Sequence, residues 1–199
     1  MKPLHHRRSI RLKGYDYTQP GTYFITMNTH QREWLFGRIV DGVMRLNAQG
    51  EIALEEWHET AELRPYVTLD EFCIMPNHVH GIIMINDDSP MGGARSAPTI
   101  APTARDIAPR TGDQPSLGTG AARCAPTVAP TAHSLAAIVR AYKSAVTKRI
   151  NEIDNTPGMP IWQRNYYEHI VRNEADLTRI REYIRNNPLR WGLAPLSLA

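Results

Sequence analysis

The sequence has few cysteines, no long apolar run and no export signal at its start, and each shortage excludes a class of protein. Its two cysteines, Cys73 and Cys124, lie far apart in unlike surroundings, which argues against a disulfide scaffold or a zinc site. No apolar run approaches the length of about 20 residues that spans a bilayer. The basic start, MKPLHHRRSIRLKG, lacks the apolar centre of a secretory signal. We therefore expect a cytoplasmic protein with no membrane partner.

Positive charge is in slight excess and is concentrated in two parts of the chain. The 23 Lys and Arg residues outnumber the 20 Asp and Glu residues, which gives a net charge of +3. Clustered cations suit a polyanionic partner such as nucleic acid, although a solvated basic surface has the same composition. The two groups of cations are Lys2, Arg7, Arg8, Arg11 and Lys13, and then Arg179, Arg181, Arg185 and Arg190.

One internal segment, residues 89–133, differs in composition from the rest of the chain. It holds seven of the fifteen prolines and almost no large apolar side chains, so it cannot form a core. Within it, ARSAPTIAPTA (94–104) recurs as ARCAPTVAPTA (122–132). We predict a single domain over residues 1–199 that carries this segment as a disordered low-complexity insert rich in Pro, Ala and Thr. A docking segment is the alternative interpretation.

Strand patterns occur on both sides of the insert. TYFITMNT after Gly21 and a short run near residue 45, VMRLN, are rich in β-branched or apolar residues. Residues 66–75 and 79–85 are separated only by Pro76 and Asn77, which predicts a hairpin. Residues 161–171 resemble a further strand.

Three segments carry helix signals. Residues 48–63 hold helix-favouring residues, and Ser134 precedes an apolar stripe at helical spacing. The third helix is predicted from about Glu174 to Asn187, with Asn173 as its cap and Pro188 preventing continuation. This order of elements favours an α+β fold, a ferredoxin-like or RRM-like sandwich in which helices cover one face of a mainly antiparallel central sheet.

The segment MPNHVHGIIMI carries the strongest chemical signal. Alternate residues of a strand project from the same side, so His78 and His80 can direct both imidazoles at one metal ion. Two exposed or structural histidines are the alternative, because so short a motif often matches by chance.

The third predicted helix offers further candidates. Tyr183 and Asn187 lie four residues apart, on one face of a helix, so a hydroxyl nucleophile and an amide oxygen ligand are held together. Leu177, Ile180 and Ile184 form the apolar side that would dock this helix on the sheet. Without the histidines, Tyr183 would be interpreted as a partly buried aromatic residue.

Together these residues resemble the HUH single-tyrosine transposases, and specifically their REP-associated tyrosine transposase branch. The resemblance rests on MPNHVHGIIMI, on WQRNYYEHIVRNEADLTRIREYIRNNPLRWG and on RLKGYDYTQPGTYFITMNT, and it covers nearly the whole chain apart from the insert. His78 and His80 match the HUH pair, and Tyr183 matches the catalytic tyrosine. Asn187 stands where many relatives outside this branch have glutamine.

This resemblance implies a catalytic domain that cleaves and rejoins single-stranded DNA at REP-like hairpins. Tyr183 would form a 5′-phosphotyrosine intermediate, and His78, His80 and Asn187 would hold a divalent metal, Mg²⁺ or Mn²⁺. The residues are compatible with a monomer or a dimer. Two other functions stay open: a non-catalytic RRM-like nucleic-acid-binding protein, and a metal nuclease in which water attacks phosphorus.

Overall fold

A computed structural model describes residues 15–87 and 133–191. Over these residues the chain forms six strands and four α-helices, together with one short 3-10 helix at His30–Arg32. In chain order the strands and α-helices are β1 (Gly21–Asn28), β2 (Gly37–Val40), β3 (Val43–Leu46), α1 (Ala48–Glu62), β4 (Val67–Met75), β5 (His78–Ile85), α2 (Leu135–Ile153), β6 (Tyr167–Val171), α3 (Glu174–Arg185) and α4 (Asn187–Trp191).

The main sheet has four strands in the order β4, β5, β1, β6, and each neighbouring pair is antiparallel. Helix α1 connects β1 to β4, and α2 lies between β5 and β6 in the chain. Two such crossovers around an antiparallel sheet define the ferredoxin-like arrangement, so the predicted fold class is confirmed. Strands β2 and β3 form a separate hairpin.

Side chains on one face of the sheet form the main core. Because strand residues alternate between faces, Tyr23, Ile25 and Met27 of β1 all point towards α1 and α2 and are fully buried. The predicted apolar stripe of α2 is buried with them. Trp57 of α1 lies so close to Gly81 of β5 that an added Cβ would be 2.3 Å from its ring. The glycine after the two histidines therefore lets α1 approach the sheet.

The opposite face of the sheet carries a smaller apolar cluster. Phe24 of β1 and Ile82 of β5 pack there against Leu177, Ile180 and Ile184 of α3. Thus α1 and α2 cover one face as predicted, and α3 docks on the other through the three residues that its sequence pattern indicated.

The helix caps follow the sequence, but the end of α3 does not. Ser134 accepts a hydrogen bond from the backbone N–H of Ala137 at 3.3 Å, and Asn173 accepts one from Asp176 at 2.8 Å. Helix α3 ends at Arg185, and a second helix, α4, begins at Asn187. Helix α3 thus ends before Pro188 as predicted, although its last residue lies two positions earlier than expected. Pro188 lies in the first turn of α4, where its missing N–H has no helical partner.

The strand predicted over residues 161–171 is interrupted. Trp162 forms an isolated bridge with Thr29, and the N–H of Gln163 donates to the carbonyl of Asn28 at 2.9 Å. Pairing with β1 resumes only at Tyr167, which is opposite Thr26. Residues 164–166 therefore bulge from the ladder, because one residue of β1 faces three of the other strand.

Most of the predicted insert lies outside the described residues, which resume at His133. The described residues at its two ends both contact Tyr66. The N–H of Asn86 donates to the Tyr66 carbonyl at 2.7 Å, and the His133 ring lies 4.4 Å from the Tyr66 ring. No helix in the described part of the chain is long and apolar enough to cross a membrane.

Candidate active site

His78 and His80 lie together at the start of β5, on the sheet face that carries α3. Their ring centroids are 4.5 Å apart, and the Nε2 atoms are separated by only 2.9 Å. His80 is 4% exposed, whereas His78 is partly exposed. The two-residue spacing thus directs two imidazole nitrogens at one point.

The other nitrogen of each ring has a hydrogen-bond partner. Nδ1 of His78 lies 2.7 Å from Oδ1 of Asn77, and Nδ1 of His80 lies 2.8 Å from the hydroxyl of Thr26. An amide oxygen only accepts, so Nδ1 of His78 carries the proton in that contact. Its Nε2 is thereby left with a free lone pair, the arrangement found in metal-ligating histidines.

Burial keeps both imidazoles neutral. Burial, together with a smaller contribution from the nearby Arg32 guanidinium, lowers the pKa of His78 from 6.5 to about 4. The pKa of His80 is also well below its ordinary value, first through burial and then through the neighbouring His78. Neutral imidazole is the form that binds a metal ion, so the pair is available for binding at neutral pH.

Tyr183 reaches the same point from α3. Its hydroxyl oxygen is 3.3 Å from Nε2 of His80, and its ring is 5.2 Å from the His80 ring. Phe24 supports the tyrosine ring edge-on at 6.0 Å. The residue is 40% exposed, so part of its side chain is open to solvent. The two histidines and the tyrosine selected from the sequence therefore meet in one site.

Two ion pairs hold the part of α3 that carries Tyr183. Arg181 binds the Asp70 carboxylate with two nitrogens, at 3.0 and 2.6 Å, and Arg185 pairs with Glu71. Asp70 and Glu71 occupy the point where the pairing of β4 with β5 shifts register. Sequence reasoning missed both acids, because only the fold brings this irregular strand segment against the helix.

The two groups of cations that suggested a polyanionic partner differ in what the structure shows of them. Arg181 and Arg185 are paired as described, and Arg179 contacts Asp176 at 2.5 Å. The group from Lys2 to Lys13 lies outside the described residues. Arg32, which sequence reasoning did not select, is an exposed cation near His78.

The imidazole pair fits a divalent metal. Two nitrogen ligands at about 2.1 Å, in adjacent octahedral positions, would be roughly 3 Å apart, close to the observed 2.9 Å. No group of three His, Cys, Asp or Glu side chains suited to a metal occurs within residues 15–87 and 133–191. Further ligands would thus be an amide oxygen, substrate or water.

Asn187, the predicted amide ligand, is buried at the first position of α4. One residue, Asn186, separates α4 from the end of α3. Among the described residues, no hydrogen bond joins Asn187 to either histidine. Its role as a ligand stays a prediction.

Aromatic residues flank the site on both sides. The Trp191 ring of α4 lies 5.7 Å from the His78 ring, and Trp34 contacts Trp191 at 6.0 Å. On the other side, the exposed Tyr167 of β6 packs edge-on against Phe24 at 6.3 Å. Trp34 and Trp191 were not selected from the sequence, since lone tryptophans carry no spacing signal.

These features define a ferredoxin-like protein with two histidines and a tyrosine converging on one face of its sheet. The chain is 39% identical over 188 residues to an uncharacterized protein of Haemophilus influenzae, a match that covers 94% of this chain and 91% of that protein. The chain therefore belongs to the same family as the Haemophilus protein. No protein-family profile matches it.

A solved structure, that of a REP-associated tyrosine transposase bound to a REP hairpin, shares the fold. It aligns with a TM-score of 0.53 over 92% of this chain and 74% of that chain, at 16% sequence identity. The fold that the sequence resemblance implied is thus confirmed.

Proposed function

We propose that this protein is an HUH-type single-tyrosine transposase, a metal-dependent endonuclease and strand transferase for single-stranded DNA. The observation that carries the proposal is the convergence of Tyr183 on the histidine pair. Its hydroxyl lies 3.3 Å from the same Nε2 atom that faces His78 across 2.9 Å. A nucleophile and two metal-ligating nitrogens at one point are what phosphodiester cleavage through a covalent intermediate requires.

In this proposal His78 and His80 hold a divalent cation, Mg²⁺ or Mn²⁺, with Asn187 as the additional protein ligand. Such a cation, when bound, polarises the scissile phosphate and neutralises charge that develops on its oxygens. The lowered pKa values of His78 and His80 suit this role, because neither ring must lose a proton at neutral pH.

The chemical step belongs to Tyr183. Its oxygen attacks phosphorus, the bond from tyrosine oxygen to phosphorus forms, and the bond from phosphorus to the 3′ oxygen breaks. The phenol proton leaves to water, to which the side chain is open, and the departing 3′ oxygen takes up a proton. The product is a 5′-phosphotyrosine linkage and a free 3′-hydroxyl. Attack by the 3′-hydroxyl of another strand reverses these bond changes and rejoins the DNA.

We further propose that the substrate is a REP-like hairpin with a single-stranded flank. The support is the shared fold with a transposase whose structure contains a REP hairpin, together with the sequence resemblance to that branch. The partly exposed Tyr183 and the exposed aromatic residues near it, Trp34 and Tyr167, suit an unpaired strand.

The test is formation of a covalent protein–DNA adduct on a hairpin with a labelled flank, resolved on a denaturing gel with Mn²⁺ present. The parent protein should give a slower-migrating labelled band, and Tyr183→Phe should give none while it still binds the hairpin. Tyr167→Phe is the matched control, because Tyr167 is an exposed tyrosine near the same site, and it should retain the adduct.

Other outcomes distinguish the alternatives. Cleavage by Tyr183→Phe at the parental rate would favour a nuclease that uses water as its nucleophile. Binding without cleavage by the parent would favour a non-catalytic binding protein. Replacement of both His78 and His80 by alanine should abolish metal-dependent cleavage, since each loses a nitrogen donor. Metal-stimulated cleavage by this folded double variant would show that the metal binds at other residues.

A further inference from the structure

Trp34 is an unusually exposed aromatic residue for a position so close to the candidate site. The side chain is 62% exposed, although large apolar surface is ordinarily buried. It lies in the loop formed by residues 29–36, between β1 and β2. An indole that is exposed to solvent beside an active site presents an aromatic face on which a planar ligand can stack.

The 29–36 loop is fixed to the turn that precedes His78. The N–H groups of Leu35 and Phe36 both donate to the carbonyl of Pro76, at 2.8 and 3.1 Å. The Thr29 hydroxyl is 2.9 Å from the Asn77 carbonyl, and the Asn77 amide donates to the Arg32 carbonyl at 3.2 Å. Trp34 is therefore held by the same turn that positions the first histidine.

Trp191 connects the exposed indole to the histidines. Its ring lies 6.0 Å from Trp34 and 5.7 Å from His78. Helix α4, which carries Trp191, is itself supported by the β2–β3 turn. Gly42 of that turn has φ +74, and a Cβ there would lie 2.6 Å from Leu189 of α4. The indole pair is thus built on two supported elements and opens beside the metal-binding nitrogens.

Arg32 supplies a cation in the same loop. Its carbonyl accepts a hydrogen bond at 3.2 Å from the side-chain amide of Asn77, the residue before His78, and Arg32 is exposed. Gln31 and Arg32 both have positive φ, 51° and 59°. Such backbone is costly for these residues, and it is kept where the surroundings impose it, often at functional sites.

We infer that Trp34, Trp191 and Arg32 form a nucleotide-binding ledge on the His78 side of the site. The ligand is an unpaired nucleotide of the DNA strand that enters the site: its base stacks on the open face of Trp34, and its phosphate pairs with Arg32. Stacking on an aromatic side chain accepts any base, so the ledge holds the strand and does not read sequence. This inference rests on the proposed function for the identity of the strand.

The test compares two strands of equal length, an oligothymidine and its fully abasic counterpart, by fluorescence anisotropy on the Tyr183→Phe background. Trp34→Ala should weaken oligothymidine binding by about 5- to 150-fold, the usual range for loss of one stacked base. It should change binding of the abasic strand little. Arg32→Gln should weaken binding of both strands by a similar factor, because each retains its phosphates.

Matched variants control for loss of exposed apolar area and of charge. Leu63 is 70% exposed at the end of α1, and Leu63→Ala should bind both strands like the parent. Arg38 is exposed on β2, and Arg38→Gln should have a smaller effect than Arg32→Gln. Trp34→Leu keeps an apolar side chain and should bind as weakly as Trp34→Ala, whereas Trp34→Phe should retain part of the affinity.

Three results would overturn the ledge: Trp34→Ala binding oligothymidine as tightly as the parent, equal losses of affinity for both strands, or no binding of oligothymidine by the parent. The adduct assay with the tyrosine intact reports the proposed function separately. If the adduct forms but Trp34→Ala has no base-dependent effect, the ledge is contradicted and the proposed transposase function is supported. If Trp34→Ala has a base-dependent effect but no adduct forms, the ledge is supported and the catalytic proposal is contradicted.

Discussion

Thr26 of β1 lies directly opposite His80 of β5, and its hydroxyl oxygen is 2.8 Å from Nδ1 of that histidine. A hydroxyl can donate or accept, so this contact is compatible with either tautomer of the ring. Only the tautomer that donates from Nδ1 to Thr26 leaves the Nε2 lone pair free beside His78. Thr26 is therefore placed to accept that proton and to hold His80 in its metal-ligating form.

We predict that Thr26→Val lowers the affinity for Mn²⁺ by about 10- to 100-fold, the usual effect of removing the hydrogen-bond partner of a metal-ligating histidine. Valine keeps the branched shape and removes only the hydroxyl. The measurement is a Mn²⁺ titration followed by electron paramagnetic resonance of the free ion, which requires no DNA and no cleavage.

Two variants sharpen this test. Thr22 lies on the same face of the same strand but is opposite Met84, so Thr22→Val should leave Mn²⁺ affinity unchanged. Thr26→Ser restores a hydroxyl and should recover most of the affinity. If Thr26→Val and Thr22→Val bind Mn²⁺ equally well, the hydroxyl does not position His80.

The ion pair between Arg181 and Asp70 leads to a second prediction. Asp70→Asn keeps the size of the side chain but removes the negative charge that pairs with Arg181 and holds the Tyr183 end of α3 against β4. We expect the rate of adduct formation to fall by about 10- to 100-fold, because a nucleophile displaced by about 1 Å loses rate on that order. Hairpin affinity should not weaken, since no cation is removed.

Glu55→Gln is the control for the Asp70 variant. Glu55 pairs with Arg149 at 2.5 Å between α1 and α2, on the other face of the sheet, so this change should leave the adduct rate at its parental value. Parental rates for both variants would show that the ion pair does not position Tyr183.

A third prediction concerns pH. The pKa of His78 is lowered from 6.5 to about 4 in the folded protein, so the unfolded chain binds a proton more readily than the folded one. Stability is then fully present above pH 6.5 and falls as the pH decreases from 6.5 towards 4. The loss should be on the order of 3 kcal/mol from His78, with His80 adding in the same direction.

Urea unfolding at several pH values, with chelator present, measures this loss. The variant with alanine at both His78 and His80 should lose less stability than the parent over the same pH range. His58, which is exposed on α1, is the control, and His58→Ala should follow the parental curve. Parallel curves for the parent and the double variant would contradict neutral, buried histidines at the site.

Local sequence patterns predicted most of the fold, because strand alternation, helical stripes and helix caps each depend on residues close together in the chain. The alternation in β1, the stripe in α2 and the caps Ser134 and Asn173 are set by neighbouring residues. The interruption at residues 164–166 was missed, since a bulge depends on what the opposite strand pairs with. The same applies to α4, where a proline that stops one helix lies in the first turn of the next.

The site divides in a similar way. His78 and His80 share a strand, so their common direction follows from spacing alone. Tyr183 was a candidate from its place on the third predicted helix, and the family resemblance implied its role as the catalytic tyrosine. Asp70 lies in β4, whereas Trp34 and Arg32 lie in the loop between β1 and β2. Each is an ordinary residue in its own sequence context, and only tertiary packing brings it close to the candidate site.

The last prediction is that removal of residues 92–132 leaves a folded protein able to form the tyrosine adduct. The two described ends of this region both contact Tyr66, through the N–H of Asn86 and the ring of His133, so a short Gly–Ser linker can bridge them. Each doubling of a loop's length costs only about 0.6 kcal/mol of closure entropy, so shortening it should change the melting temperature by a few degrees at most. Circular dichroism with thermal unfolding and the adduct assay make the measurement. Loss of folding would show that the insert is structural, whereas intact folding with weakened hairpin binding would make it a DNA-binding arm.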